Sequence, residues 1–253
     1  MDLLLKKEKK MSFENRVVAI TGACSGIGKM LCEEFLKAGA IVNRFDVNQE
    51  VLKESCTGYH DYVVDVSDYE NIQSAMNDIL EKHHKIDIVI NCAGGASTRV
   101  FKENVSFEKL SLEAINWGID VNLKGPVYMA RACINAMIEQ KSGVIINVGS
   151  VSGVTGSGTA VDYSAAKSGL IGLTKSLALL GGPHQVRCCM VSPGPVLTRM
   201  EMAKMTTPLG RACEVEEVVK LIMYLCSDDA AFITGDNYMI DGGRSCGGMK
   251  HAN

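Results

Sequence analysis

Two side chains in the second half of the chain have types and a spacing that suit proton transfer. Tyr163 and Lys167 belong to the segment Tyr-Ser-Ala-Ala-Lys, which in a helix places them one turn apart on one face. A nearby ammonium favours a phenolate, so we expect the pKa of Tyr163 to fall from about 10 toward the working pH. Tyr163 would then act as general acid or base, and Ser150 could donate a hydrogen bond to a reacting carbonyl.

A glycine-rich turn near the N-terminus suits a dinucleotide. It lies between an apolar run that ends at Thr21 and a segment with helical periodicity. Gly22 permits a tight turn, Gly26 lets backbone N–H groups approach a pyrophosphate, and Gly28 lets the helix pack closely. The N-terminus of the helix adds its positive dipole end. We expect cofactor contacts from Gly22, Cys24, Ser25, Gly26, Ile27 and Gly28.

The residues around the second predicted strand favour NAD over NADP. Asp46 ends that strand, about 20 residues beyond the turn, where a carboxylate accepts hydrogen bonds from ribose hydroxyls and repels a 2′-phosphate. The variable turn positions Ala23, Cys24 and Ser25 hold no cation. Arg44 is the nearest one and leaves NADP open.

Short apolar runs alternate with helical patterns along the whole chain. The predicted strands cover residues 17–20, 40–46, 62–65, 86–91, 144–148, 186–191 and 238–240. The predicted helices cover residues 27–38, 69–82, 163–180 and 215–225, and one that runs from 115 toward 137. This alternation predicts the α/β class, with one doubly wound parallel sheet of about seven strands and helices on both faces. We expect one domain over 12–253 and a frayed leader over 1–11.

Composition excludes several classes of protein. Hydrophobic residues make up 47% of the 253 residues and the formal net charge is −3, so neither disorder nor a nucleic-acid footprint is expected. The 10 cysteines show neither a disulfide framework nor zinc-site spacing, which indicates reduced thiols, no metal and a cytoplasmic location. No segment is long and apolar enough to span a membrane.

Several motifs occur in a fixed order, and together they resemble one enzyme family. They are Thr21 to Gly28, Asn91-Cys-Ala-Gly94, Asp120-Val-Asn122, Ser150 with Tyr163 and Lys167, Ser192-Pro-Gly-Pro-Val-Leu-Thr198, and Asp241-Gly-Gly243. Over residues 12–243 the chain resembles the short-chain dehydrogenases/reductases, specifically their classical branch. The resemblance implies a Rossmann-type fold and an NAD(P)-dependent oxidoreductase acting on a small alcohol or ketone. It also implies a homotetramer or dimer.

The resemblance assigns roles to individual positions. Tyr163 is the acid/base, Lys167 lowers its pKa and binds the nicotinamide ribose, Ser150 orients the substrate, and Asn122 holds a water in a proton relay. The implied cofactor contacts beyond the glycine turn are Asp46, Asp65, Val66, Asn91, Ala93, Gly94, Tyr163, Lys167, Pro193, Gly194, Val196 and Thr198.

Three functions remain open. The first is an NAD-dependent dehydrogenase of a secondary alcohol such as a polyol, hydroxysteroid or cyclic alcohol. The second is a 3-oxoacyl-[acyl-carrier-protein] reductase, although such enzymes usually use NADPH and Asp46 argues against that. The third is a non-catalytic dinucleotide sensor, which would have no need of the set Asn122, Ser150, Tyr163 and Lys167.

The substrate is the least specified partner. The segment 199–207 is short where many relatives carry a helical lid, and the stretch 95–112 is long. Arg99 and Lys102 in that stretch could meet an anionic substrate, but we favour a solvated charged loop. Met200, Met202 and Met205 could line the pocket or simply pack.

Overall fold

One sheet organises the part of the chain that the computed structural model describes, residues 11–53 and 58–247. Its strands are β1 Val17–Thr21, β2 Ile41–Asp46, β3 Tyr59–Val63, β4 Ile88–Asn91, β5 Gly143–Val148, β6 Val186–Pro193 and β7 Asn237–Ile240. They pair in parallel in the order β3-β2-β1-β4-β5-β6-β7. The predicted α/β class and the number of strands are confirmed. All but the last residue of the predicted leader lie outside the described residues.

Burial explains where the strand predictions succeeded and where one failed. Every residue of β1, β4 and β5 is buried, as expected for Val- and Ile-rich strands covered on both faces. The third strand was predicted over 62–65, but it runs from Tyr59 to Val63. Because β3 is an edge strand whose residues are all exposed or partly exposed, it lacks the continuous apolar run of a buried strand. Val64, which is buried, lies just beyond its end.

Helices cover both faces of the sheet. The helices of the described residues are α1 Gly26–Lys37, α2 Gln49–Lys53, α3 Tyr69–His83, α4 Ser97–Val100, α5 Leu112–Ile119, α6 Gly125–Gln140, α7 Ser152–Thr155, α8 Val161–Gly181 and α9 Val215–Cys226. On one face α1 and α9 bury residues such as Phe35 and Ile222. On the other, α3, α6 and α8 bury residues such as Ile72, Met129 and Leu177. None of the described helices is long and apolar enough to cross a membrane.

The single helix predicted from 115 toward 137 is two helices joined by a π-helical turn, Asp120–Lys124. Pro126 lies in the first turn of α6, where its missing N–H costs little. A π-turn shifts the helical register, and such turns are frequent at functional sites. Here the shift leaves Asn122 with no exposed surface.

The strand order reverses direction between β1 and β4, and such switch points form ligand-binding crevices at the carboxyl ends of the strands. A threonine at the end of β1 ties the two strands together. The Thr21 hydroxyl oxygen accepts hydrogen bonds from the N–H groups of Cys92 and Ala93, both at 3.0 Å. The carboxyl ends of β4, β5 and β6 border the same crevice.

Candidate active site

The glycine turn is built by close backbone approach. Gly22 and Gly26 have φ angles of 66° and 51°, which glycine adopts without strain. A Cβ atom on Gly22 would lie 2.8 Å from the Cα atom of Ala93, and one on Gly28 would collide with the carbonyl oxygen of Gly22. The turn therefore aims the N-terminus of α1, with Ser25 at its cap, into the crevice.

The side chains of Asp46 and Arg44, both on β2, have different surroundings. The Asp46 carboxylate accepts hydrogen bonds from the N–H groups of Cys24 at 2.9 Å and Asn48 at 3.0 Å, so it stands directly behind the glycine turn. The Arg44 guanidinium is 5% exposed and donates two hydrogen bonds of 2.7 Å to the Asp61 carboxylate. Arg44, the cation that the sequence suggested for a phosphate, is thus already paired with a carboxylate.

Ser150, Tyr163 and Lys167 come together at the ends of β5 and the start of α8. Ser150 follows β5, and it lines the same groove as Tyr163. The Lys167 ammonium lies 5.7 Å from the centre of the Tyr163 ring and donates to the Val148 carbonyl at 2.8 Å. Gly153 permits this packing, because a Cβ there would lie 2.7 Å from the Lys167 carbonyl carbon.

The charge environment of Tyr163 differs from the sequence expectation. Burial raises the pKa of the phenol, while the hydrogen bond with Ser150 and the charges of Arg99 and Arg199 act to lower it. Burial also lowers the pKa of Lys167 to about 8. The predicted fall in the pKa of Tyr163 is therefore wrong for this structure, because loss of water around the phenol outweighs the nearby positive charges.

Asn122 fixes the backbone beside these residues. Its amide nitrogen donates to the carbonyl oxygens of Gly95 at 3.0 Å and Gly118 at 2.9 Å, and its oxygen accepts from the Gly95 N–H at 2.9 Å. A Cβ on Gly94 would collide with this amide oxygen and would lie 3.7 Å from the Lys167 ammonium. The Asn122 side chain thus holds the segment after β4 close to Lys167.

A groove of about 610 Å³ runs from the glycine turn to Tyr163. It joins residues from six separate segments of the chain. Of the predicted site residues, those that line it are Ser25, Gly26, Ile27, Gly94, Ser150, Tyr163, Lys167, Pro193, Gly194, Val196 and Thr198. One continuous groove thus connects a helix N-terminus suited to a pyrophosphate with a partly buried phenol suited to proton transfer.

The sequence comparisons agree with this geometry. The sequence model described as short chain dehydrogenase matches residues 16–208. The chain belongs to the short-chain dehydrogenase family. It is 34% identical to the 3-oxoacyl-[acyl-carrier-protein] reductase FabG of Thermotoga maritima, over 92% of this chain and 99% of the relative. It is also 34% identical to the meso-2,3-butanediol dehydrogenase of Serratia marcescens, over 92% and 96%.

A solved structure supports the same conclusion for the fold. The crystal structure of gox2181 superposes with a TM-score of 0.86 and 28% sequence identity, covering 93% of this chain and 98% of that one. The chain is therefore a short-chain dehydrogenase in fold and sequence, an oxidoreductase of a family that uses nicotinamide cofactors and small-molecule substrates.

Nine predicted site residues of this short-chain dehydrogenase do not line the groove. They are Gly22, Cys24, Gly28, Asp46, Asp65, Val66, Asn91, Ala93 and Asn122. Asn91 is buried and donates to the Asn147 side chain at 2.8 Å. The Asp65 carboxylate accepts from the Ser67 N–H at 2.8 Å and from its hydroxyl at 2.7 Å. Asp65 and Val66 follow the edge strand β3, on the adenosine side implied by the family.

The substrate end contains residues that the sequence left undecided. Met202 and Met205 line the groove, whereas Met200 does not and is 86% exposed. Arg99 lines the groove and Lys102 does not. Arg199 and Arg244 also line it, and sequence reasoning missed both. Their only signal was position, directly after Thr198 and directly after Asp241-Gly-Gly243.

Proposed function

We propose that this short-chain dehydrogenase interconverts a secondary alcohol and a ketone with NAD(H), and that Tyr163 is its general acid/base. The observation that carries the proposal is the groove, in which Ser150, Tyr163 and Lys167 face the same space as the N-terminus of α1. A dinucleotide along this groove would supply or accept the hydride. The glycine turn fits such a group, because close backbone packing leaves its open face to the groove.

The chain's own residues handle the proton and the orientation. The Ser150 hydroxyl would donate to the substrate oxygen while the Tyr163 phenol gives or takes its proton. Because burial keeps the pKa of Tyr163 above its ordinary value, the phenol is protonated at neutral pH. It is then ready to act as the acid of a ketone reduction, and alcohol oxidation should speed up as pH rises. The hydrogen bond from the Lys167 ammonium to the Val148 carbonyl, at 2.8 Å, keeps Lys167 beside this site.

The choice of NAD rests on two side chains of β2. Asp46 lies directly behind the turn, where its charge would repel a 2′-phosphate. Arg44 already makes two hydrogen bonds with Asp61 and a third with the Leu52 carbonyl at 3.1 Å. To bind the 2′-phosphate of NADP, Arg44 would have to give up its hydrogen bonds with the Asp61 carboxylate. The arrangement therefore favours NAD.

A second candidate is reduction of 3-oxoacyl thioesters with NADPH. It is favoured by the 34% identity with the FabG of Thermotoga maritima, whose name gives that substrate class. The same identity with a butanediol dehydrogenase favours a small alcohol equally, and Asp46 weighs against NADPH.

Self-association is also part of the proposal. The family resemblance implies a homotetramer or dimer, and exposed apolar side chains lie on elements that could form it. Leu179 at the end of α8 is 80% exposed, and Phe232 before β7 is fully exposed. Light scattering on the purified protein distinguishes a monomer, which would remove this proposal, from a dimer or tetramer.

One enzymatic screen tests the proposed function. Secondary alcohols and ketones, together with acetoacetyl-CoA, are offered with NAD(H) and with NADP(H), and the absorbance of the reduced cofactor is followed. Turnover of an alcohol–ketone pair with NAD(H) supports the proposal. Turnover confined to the thioester with NADPH would establish the second candidate instead, and no turnover with any pair would contradict both.

A further inference from the structure

The substrate end of the groove carries an excess of positive charge. Its lining includes Arg99, Lys167, Arg199 and Arg244 and, among the described residues, no aspartate or glutamate. The chain as a whole is the opposite, with 29 acidic and 26 basic residues. A cationic groove in a slightly acidic protein concentrates negative ligands near the reacting groups.

Arg99 is held at this end by its surroundings. It lies on α4, between Ser97, which is fully buried, and Phe101, whose ring packs edge-on against Trp117 at 6.1 Å. A Cβ on Gly95 would collide with the Arg99 guanidinium. The glycine at this position therefore leaves the space that the guanidinium occupies, beside the segment that Asn122 fixes.

Arg99 also lies close to the reacting groups. It lines the same groove as Tyr163 and Arg199, and its charge acts to lower the pKa of Tyr163. Burial and then the charge of Arg199 lower the pKa of Arg99. Two guanidinium groups and the phenol thus share one groove. No ion pair of the described residues includes Arg99, Arg199 or Arg244. Like charges that lack carboxylate partners within a groove are stabilised by an anionic ligand.

We propose that Arg99, assisted by Arg199, binds an anionic group of the substrate, a carboxylate or a phosphate, a few atoms from the carbon that bears the alcohol. This inference rests on the proposed function, since it names the substrate class of the same groove. The substrate would be a small hydroxy acid and its oxo acid, or the corresponding phosphate ester.

The cofactor does not account for these charges equally well. A pyrophosphate would face the N-terminus of α1, where Ser25, Gly26 and Ile27 line the groove. Arg199 follows Thr198, whose methyl group would lie 3.2 Å from a Cβ on Gly26, so Arg199 is the nearer of the two arginines to the glycine turn. Arg99 instead adjoins Gly95, next to Gly94, where a Cβ would lie 3.7 Å from the Lys167 ammonium. Arg99 therefore lies toward the end of the groove that holds Lys167 and Tyr163. An acyl thioester carries its phosphates at the far end of a long pantetheine arm and offers no anion next to the reacting carbon.

Matched substrates with and without the negative charge test the proposal. The acids 2-hydroxybutanoate, 3-hydroxybutanoate and 4-hydroxypentanoate are compared with their methyl esters, and glycerol 3-phosphate with glycerol. The ratio of kcat/KM for the charged member to that for the neutral member is measured in the wild type, Arg99→Gln and Arg99→Lys. The ratio cancels any change in the acidity of Tyr163, because both members depend on the same phenol.

We expect the wild type to prefer one charged member, and Arg99→Gln to lower that preference about tenfold or more, as loss of a charged hydrogen bond does. The acid and phosphate arms identify which anion is bound. Arg99→Lys should restore part of the preference, since lysine supplies the positive charge but lacks the planar guanidinium that donates two parallel hydrogen bonds. Lys102→Gln is the matched control, because this neighbouring cation is exposed and lies outside the groove, and it should leave the ratio unchanged.

The ways of failing are distinguishable. If the esters and glycerol are turned over as well as their charged partners, or if Arg99→Gln leaves the ratio unchanged, the anion site is wrong and the oxidoreductase stands. If Arg99→Gln raises the KM of NAD equally for all substrates, Arg99 serves the cofactor and the inference is overturned. If no member of any pair, charged or neutral, is turned over and the wider screen is also negative, the proposed function itself fails.

Discussion

Two regions of the molecule surround an arginine differently. On β2, behind the glycine turn, Arg44 is buried and makes two 2.7 Å hydrogen bonds to Asp61. At the substrate end, Arg99 lines the groove and no ion pair of the described residues includes it. A buried guanidinium needs a carboxylate to offset its lost hydration, whereas one facing a groove keeps water until a ligand arrives.

This difference separates structural cations from binding cations. Both arginines lie shortly before or after the carboxyl end of a strand, and residue type alone does not distinguish them. The partner does: Asp61 lies opposite Arg44 in the register of β2 and β3, while among the described residues no carboxylate forms an ion pair with Arg99.

The largest effect should come from removing the phenolic proton at the substrate end. Tyr163→Phe should lower kcat by about 10²–10⁴-fold, the usual contribution of general acid–base catalysis, and should leave NAD affinity nearly unchanged. Steady-state kinetics and calorimetric titration with NAD measure the two quantities. Tyr224→Phe makes the same chemical change at a side chain that is 40% exposed, and a comparable loss there would mean that the effect is not specific to Tyr163.

A substitution that removes the partner of Arg44 should lower the stability of the fold. Asp61→Asn leaves the buried Arg44 without its carboxylate and should lower the free energy of unfolding by about 1–3 kcal/mol, as measured by urea denaturation. Glu216→Gln breaks the exposed pair with Lys220 and should cause no measurable change. Equal stabilities of Asp61→Asn and wild type would show that the Arg44–Asp61 pair contributes nothing to the fold.

Cofactor preference should move with the charge behind the glycine turn. Asp46→Asn keeps an oxygen that can accept from the Cys24 N–H but removes the repulsion of a 2′-phosphate. The ratio of kcat/KM for NAD to that for NADP should fall by about tenfold. Asp229→Asn, on the exposed segment before β7, is the control. An unchanged ratio in Asp46→Asn would show that Asp46 does not set the cofactor preference.

The smallest effect should be a shift in pH dependence at the substrate end. The charge of Arg99 lowers the pKa of Tyr163, so Arg99→Gln should raise that pKa. Because oxidation requires the deprotonated phenol, its midpoint should move to higher pH, while Lys102→Gln should not move it. A midpoint that moves to lower pH would contradict the position assigned to the Arg99 charge.

Much of the fold followed from local patterns in the sequence. Val- and Ile-rich runs identified the buried strands β1 and β5, because such strands are covered on both faces. The edge strand β3 was displaced in the prediction, because its half-exposed residues lack that signal. The π-turn at Asn122 was invisible, since its residues continue the apolar helical pattern on either side.

The candidate site divides in the same way. Ser150, Tyr163 and Lys167 were identified by type and spacing, and the fold brings them together. The acidity of Tyr163 was not predictable, because it depends on burial by residues distant in sequence. Arg199 and Arg244 were missed for a related reason. A lone arginine in a loop carries no periodicity, and only the tertiary fold brings it to the groove that Arg99 lines.

Isotopic labelling shows whether a hydride passes between NAD and a carbon next to Tyr163. NADH carrying deuterium at the transferable nicotinamide position is incubated with each ketone of the screen, and the alcohols are analysed by mass spectrometry. We predict deuterium on the carbinol carbon of a product in the wild type and almost none in Tyr163→Phe. Absence of label from every product, or equal labelling by Tyr163→Phe, would contradict the account.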